Sequence, residues 1–283
     1  MNVILEMMLV FAKGIAAGVA IGLGGFLFIG SKWAFSRIKS STDYSEFGNV
    51  IGSTLFSVGL LIVCSLKLML YTGKIGLTFE VSQSIKHYVS LVVMLIANVC
   101  SAYGLGLLLH TLMKSKASRY VDIATNVALA KLKLSALSDY VKCSMQSIFC
   151  GSCVHLGVKC FVMFDGRCRG VIITIFAVLM FVYSGFQHCI ANSFYFGFAN
   201  EFRKEVFINV AICIIGNSLG TIPISLFTQT FRKVEAESSD SSISNIQFSS
   251  NDALQQTANG KRKSDKKKHI DTETESSTTY TEA

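Results

Sequence analysis

Six long stretches of this chain are almost free of charge, and nothing else in it constrains the fold as tightly. They cover residues 3–30, 47–66, 88–113, 143–158, 171–200 and 206–231, the first interrupted only by Glu6 and Lys13. A helix needs about 20 apolar residues to cross the roughly 30 Å hydrocarbon layer of a bilayer, so the runs read as six membrane-spanning helices. Composition agrees: 51% of the residues are hydrophobic and 16% charged, where soluble domains carry about 25% charged residues. A soluble core could not hide that much apolar surface, which excludes most soluble-enzyme classes. The first run lacks a basic leader and a small-residue cleavage site, so it is expected to be a retained span and not a signal peptide.

From residue 234 the character changes. The chain turns rich in Ser, Thr, Asp and Glu and carries the block Lys261-Arg262-Lys263-Ser264-Asp265-Lys266-Lys267-Lys268. Such a segment buries too little apolar surface to offset its ordering entropy. The expected organisation is a transmembrane domain over 1–233 and a disordered tail over 234–283. Residues 231–283 hold 8 Lys/Arg and 9 Asp/Glu, which leaves 18 basic and 9 acidic side chains for residues 1–230. A basic membrane body suits anionic lipid headgroups or an anionic solute, and nucleic acid is not an expected partner. Most of the nine cysteines sit in apolar runs and read as buried, reduced and hydrophobic. Cys150 and Cys153 form a lone CxxC without a second pair, and no HExxH occurs. Neither a metal nor a cofactor is expected.

Two spans are interrupted. In the second, charges flank Leu68-Met69-Leu70-Tyr71-Thr72-Gly73, with Lys67 before and Lys74 after. In the fifth, Gly185-Phe186-Gln187-His188-Cys189-Ile190-Ala191-Asn192 embeds Gln, His and Asn in an apolar run. Polar groups at membrane depth are costly unless they face protein or a water-filled cavity. The first interruption lies 25–28 residues before Asn98, and the second 25–29 residues before Asn217. Three helices with a broken middle one, then the same again, is a signature of inverted repeats around a midplane site.

At these residues the sequence resembles the formate/nitrite transporter family, over about residues 11–230. The run Met180-Phe181-Val182-Tyr183-Ser184-Gly185-Phe186-Gln187-His188-Cys189-Ile190-Ala191-Asn192 is similar to the family's G-F-E-H-x-x-A-N motif. Phe56-Ser57-Val58-Gly59-Leu60 followed by Leu70-Tyr71-Thr72-Gly73 resembles its F-S-x-G-L and L-F-T-G segments. Ala17-Gly18-Val19, Asn98, and Gly216-Asn217 with Gly220 fit the remaining landmarks. The resemblance implies an all-α membrane protein with six transmembrane helices in two inverted three-helix repeats. The protomer would be aquaporin-like, with helices 2 and 5 broken and its own pore, assembled as a homopentamer with both termini cytoplasmic, in the plasma membrane.

It also implies a cargo: small monovalent anions of weak acids, the formate, nitrite, acetate or lactate class, moved with a proton. Phe56, Leu60 and Phe181 would form the outer constriction, and Leu70 and Tyr71 the inner one. Thr72 is expected on the loop adjoining the inner constriction, and His188 between the two constrictions, with Asn192 also on the substrate pathway. Gly73, Asn98, Gly185, Gly216 and Asn217 would serve as helix-break and packing landmarks. Lys131 or Lys133 would be the vestibule lysine that attracts anions, the register leaving both open. Five positions depart from the family pattern: Met69 and Gln187 replace acidic residues, Gly151 an Asn, Lys67 a Gly and Lys159 a Trp. Without a carboxylate at Gln187, His188 is expected to be neutral. The short loops assigned to the inner side carry fewer basic residues than the outer ones, the reverse of the positive-inside rule, so the orientation rests on the resemblance.

Two other readings of the chain differ in class. One is a non-transporting membrane scaffold whose tail recruits partners. The other is a membrane-embedded enzyme using Cys150 or Cys153 with His155, for which no activating third group is visible.

Overall fold

The computed structural model describes residues 3–37, 42–79, 84–115, 118–231 and 234. Its contacts divide the chain into a first unit, Met1–Phe227, and a second, Thr228–Ala283. Every candidate site residue lies in the first. Of the second, residues 228–231 and 234 are described, and all are helical. The rest of the tail, including the basic block at 261–268, lies outside the described residues.

The described residues are helical, with no strand among them. The elements run α1 (Val3–Ser36), α2 (Thr42–Ser65), α3 (Tyr71–Lys74), α4 (Ile85–Met113), α5 (Ser118–Lys131), α6 (Leu137–Met163), α7 (Cys168–Tyr183), α8 (Cys189–Phe198) and α9 (Lys204–Phe231). A 3₁₀ turn, Ile75–Phe79, follows α3. Helices α1, α4, α6, α9 and Glu46–Ser65 of α2 are each long and apolar enough to cross a membrane, and α7 is a shorter apolar helix. The apolar run at 171–200 is thus divided between α7 and α8, and α5 is an additional helix that no apolar run announces.

The two interruptions are built alike. Helix α2 stops when Lys67 turns left-handed (φ 50°) and Leu68 N–H donates to Val63 O at 2.9 Å. Helix α7 stops when Gly185 turns left-handed (φ 69°) and Phe186 N–H donates to Phe181 O at 3.0 Å. Both are the six-residue C-terminal closure in which a left-handed residue ends the helix, a position that favours glycine. Four residues after each left-handed residue a new helix begins, α3 at Tyr71 and α8 at Cys189. Where α1 meets α4 and α6 meets α9, the backbones touch. A Cβ on Gly18 would collide with the Asn98 carbonyl, and one on Gly151 with that of Asn217. Position 151 therefore has no room for the Asn that the family pattern places there.

Candidate functional site

A helix start leaves its first N–H groups without partners, and buried ones must find acceptors elsewhere. Here two asparagines supply them. Asn98 Oδ1 accepts from Tyr71 N–H at 2.8 Å, while Asn98 Nδ2 donates to Gly14 O at 2.7 Å and Met69 O at 2.9 Å. Asn217 Oδ1 accepts from Cys189 N–H at 3.0 Å, while Asn217 Nδ2 donates to Ser147 O at 2.8 Å and Gln187 O at 2.9 Å. Each asparagine uses all three of these bonds to fasten a half-helix, the strand of chain before it and a neighbouring helix. Both are fully buried.

The half-helices bring His188 and Thr72 together. His188 stands just before α8 with extended backbone, and its Nδ1 accepts from Ala191 N–H at 3.1 Å, capping the helix. Because Nδ1 is used as an acceptor, a neutral ring carries its proton on Nε2. Nε2 lies 3.0 Å from Thr72 Oγ1 and so donates to it. Thr72 is the second residue of α3, not part of a loop as the resemblance implied; α3 starts at Tyr71, whose N–H donates to Asn98 Oδ1. The Phe181 ring lies 5.8 Å from the His188 ring and packs edge-on against Phe56 at the same centroid distance. Phe56, Leu60, Leu70, Thr72, Phe181 and His188 are each at most 3% exposed. Tyr71 is buried, and its hydroxyl lies 2.9 Å from Ser218 Oγ.

Two cavities adjoin this group, one at Phe56, Phe181 and His188 and the other at Leu70 and Gly73. One, of about 460 Å³, is lined by Phe56, Phe181, Gln187, His188 and Asn192, and by four lysines, Lys32, Lys131, Lys133 and Lys142, with one carboxylate, Asp139. That carboxylate is already occupied by Ala136 N–H, Ser135 N–H and the Ser135 hydroxyl. The other cavity, of about 680 Å³, is lined by Leu70 and Gly73, by two lysines, Lys67 and Lys74, and by one carboxylate, Asp165. The cavities share no lining residue.

The two candidate vestibule lysines differ. Lys133 is exposed, whereas Lys131 is half-buried, donates to Phe186 O at 3.3 Å and lies over the Tyr195 ring. Burial pulls the Lys131 pKa below the usual lysine range. Of the landmark glycines, Gly73 packs against Val158, Gly216 against Ser147, and Gly185 supplies the left-handed turn.

A family profile described as Formate/nitrite transporter matches residues 2–224. The chain belongs to the formate/nitrite transporter family. Among solved structures it resembles a "Pentameric formate channel with formate bound" at 20% identity and a TM-score of 0.57, covering 82% of this chain and 95% of that one. It also resembles an "FNT family ion channel" at 16% identity and a TM-score of 0.60, covering 80% of this chain and 89% of that one. At such identities the likeness speaks to the fold. A search of curated proteins gives no match.

Family and fold make the chain an integral multi-pass membrane protein and an anion channel or transporter, not an enzyme. The Cys/His enzyme reading falls with that. Cys150, Cys153 and His155 line neither cavity; His155 packs instead against Gly76 and Ser225, with Ser225 Oγ at 3.2 Å from its Nε2.

Gln187, where the family carries an acidic residue, is part of an amide cluster. Its Nε2 donates to Gln146 Oε1 at 3.1 Å, and its Oε1 accepts from Asn192 Nδ2 at 2.8 Å. Asn192 Nδ2 also donates to Asn209 Oδ1, and Asn209 Nδ2 to Lys131 O, both at 3.0 Å. Gln146 and Asn209 were missed from sequence, as were Lys32 and Lys142 on the cavity wall. Gln146 and Asn209 carry the same signal as His188, a polar group inside an apolar run, in the runs at 143–158 and 206–231.

Proposed function

We propose that this chain conducts small monovalent anions of weak acids, the formate, nitrite, acetate or lactate class, across a membrane together with a proton. The observation that carries the reading is the position of His188. Its ring meets Phe181 of the aromatic pair Phe56/Phe181 on one side and Thr72 of α3 on the other; it lines the first cavity, and Leu70, just before α3, lines the second.

A bare carboxylate entering so dry a passage loses several kcal/mol of hydration. The neutral acid loses far less. In this reading the lysines around the first cavity, Lys131 foremost, concentrate the anion. As the anion is dehydrated between Phe56, Leu60 and Phe181, its own pKa rises and it takes a proton from water. The neutral acid passes His188 and Leu70 and releases the proton beyond them. One anion and one proton cross together, so no net charge moves. His188 stays neutral, because protonating Nδ1 would break the cap on Ala191, and its Nε2–H offers the passing oxygen a polar contact in place of Thr72.

The same reading places the chain in a homopentamer of two inverted three-helix repeats per protomer, broken at α2–α3 and α7–α8. It lies in the plasma membrane with cytoplasmic termini and a disordered tail over 234–283. The structural likeness to a pentameric formate channel supports it. The test is uptake of labelled formate or lactate into proteoliposomes under an imposed pH gradient. Well above the acid's pKa the neutral form rises tenfold for each pH unit of acidification, and uptake should rise by up to about that factor. Little current should accompany it. A robust substrate current insensitive to external pH would refute proton coupling, and no uptake at all would favour the scaffold. Mass measurement in mild detergent tests the pentamer.

A further inference from the structure

The second cavity holds two lysines at positions that the other half of the molecule leaves neutral. Matching the left-handed stops and the half-helix starts pairs Lys67 with Gly185, and Lys74, fourth in α3, with Asn192, fourth in α8. Gly185 and Asn192 line the first cavity, and Lys67 and Lys74 line the second. Lys67 occupies its left-handed conformation against the usual preference for glycine. Strain of this kind persists where surrounding structure enforces it, often at a working site. Neither ammonium is in an ion pair among the described residues, where the ion pairs are Glu6–Lys86 and Glu201–Arg203. The wall also carries one carboxylate, Asp165, which is in no ion pair with either lysine; the rest of it, Leu70 included, is largely apolar.

We infer that Lys67 and Lys74 form an anion-capture site at the α3 end of the molecule, whose ligand is a small monocarboxylate or inorganic monovalent anion. Its use in transport rests on the proposed function; the site itself does not. Two cations against the single carboxylate of Asp165 leave the pocket net positive, and its low-dielectric walls focus that field and raise the local anion concentration. The site gives this end of the pathway its own means of loading anions, so movement in either direction begins from a concentrated pool.

Cys64 lines the same cavity and serves as a reporter. The full-length protein is treated with a negatively charged and with a positively charged methanethiosulfonate, and the rate at Cys64 is read by mass spectrometry. The ratio of the two rates cancels the thiol's own reactivity. In the parent the anionic reagent should be favoured by about tenfold or more at low ionic strength, and the preference should shrink towards one near 1 M salt. The double variant Lys67→Asn/Lys74→Gln should bring it near one, whereas Lys67→Arg should keep it. A parent ratio near one, or a ratio the double variant leaves unchanged, overturns the site.

Lys67→Gly separates charge from structure. It should raise thermal stability by relieving the left-handed strain while lowering the ratio; lost stability would mean the lysine serves only the fold. In vesicles of fixed orientation, the double variant should raise the half-saturating anion concentration at least about threefold from the α3 face alone. An equal rise from both faces overturns capture. A parent that transports nothing while the ratio responds upholds the site and overturns the pathway.

Discussion

The α2–α3 and α7–α8 breaks share one construction and part company in the residues they carry. Both close a helix through a left-handed residue, and both fasten the next helix through an asparagine that accepts one N–H and donates to two carbonyls. At the residue just before the new helix they diverge. Leu70 offers α3 no side-chain cap, whereas His188 caps α8 through Nδ1. At the stop itself one has Lys67 and the other Gly185. The fastening is what the fold requires of both halves. The residues presented to the interior are free to differ, and one half supplies a greasy wall where the other supplies an imidazole.

The sharpest way to break the comparison is to remove its common element. Asn98→Ala and Asn217→Ala each leave one N–H and two carbonyls without their partner. At about 1–3 kcal/mol for each buried group left unsatisfied, each variant should lose on the order of 3 kcal/mol or more, and by similar amounts. Thermal unfolding in detergent measures this; one severe and one neutral outcome would show that the halves are not fastened alike.

Replacing His188 touches only what distinguishes the second half. His188→Leu loses the α8 cap, worth about 1 kcal/mol. It also loses the polar contact in the passage, which should slow uptake about tenfold. Thr72→Val removes only the hydroxyl and should cost less of both, while Leu70→Ala should leave the α3 start as it is. A His188→Leu protein that transports at the parental rate would reduce His188 to a cap.

Selectivity is the next smaller effect. Phe181→Ala removes the ring between Phe56 and His188, and discrimination against larger monocarboxylates should narrow roughly tenfold in competition uptake. A folded variant with unchanged selectivity would make Phe181 packing. Smallest of all should be deletion of 234–283, for which transport per molecule stays within about twofold of the parent. Near-complete loss would make the tail part of the pathway.

Much of this was legible in the residues before any coordinates. Charge-free runs of this length mark helices because a helix satisfies its whole backbone within one segment, and the near-equal offsets of 27 and 28 residues to Asn98 and Asn217 are the linear trace of the ties that hold each half-helix. The misplacement of Thr72 has a physical cause: a four-residue helix has no periodicity to read, and its first N–H is met by a residue 27 positions away. Lys131 and Lys133 could not be separated from sequence, since they differ only in which one the end of α5 turns towards the Phe186 carbonyl. Nor does sequence reveal that Lys67 lies in the left-handed region, because that depends on a closure bond between backbone groups.

Two bonds described above join the halves directly, Thr72 to His188 and Tyr71 to Ser218. They stitch α3 to α9 and to the residue that caps α8. A carrier that opens alternately to one side and then the other swings one repeat against its mate about such a midpoint. In this molecule that swing would have to tear both stitches and re-form them on every cycle. A passage held shut by fixed side chains, opened only as far as a small solute nudges them, keeps them intact. Its throughput is then governed by how often solute arrives and sheds its water, and not by the tempo of a moving scaffold.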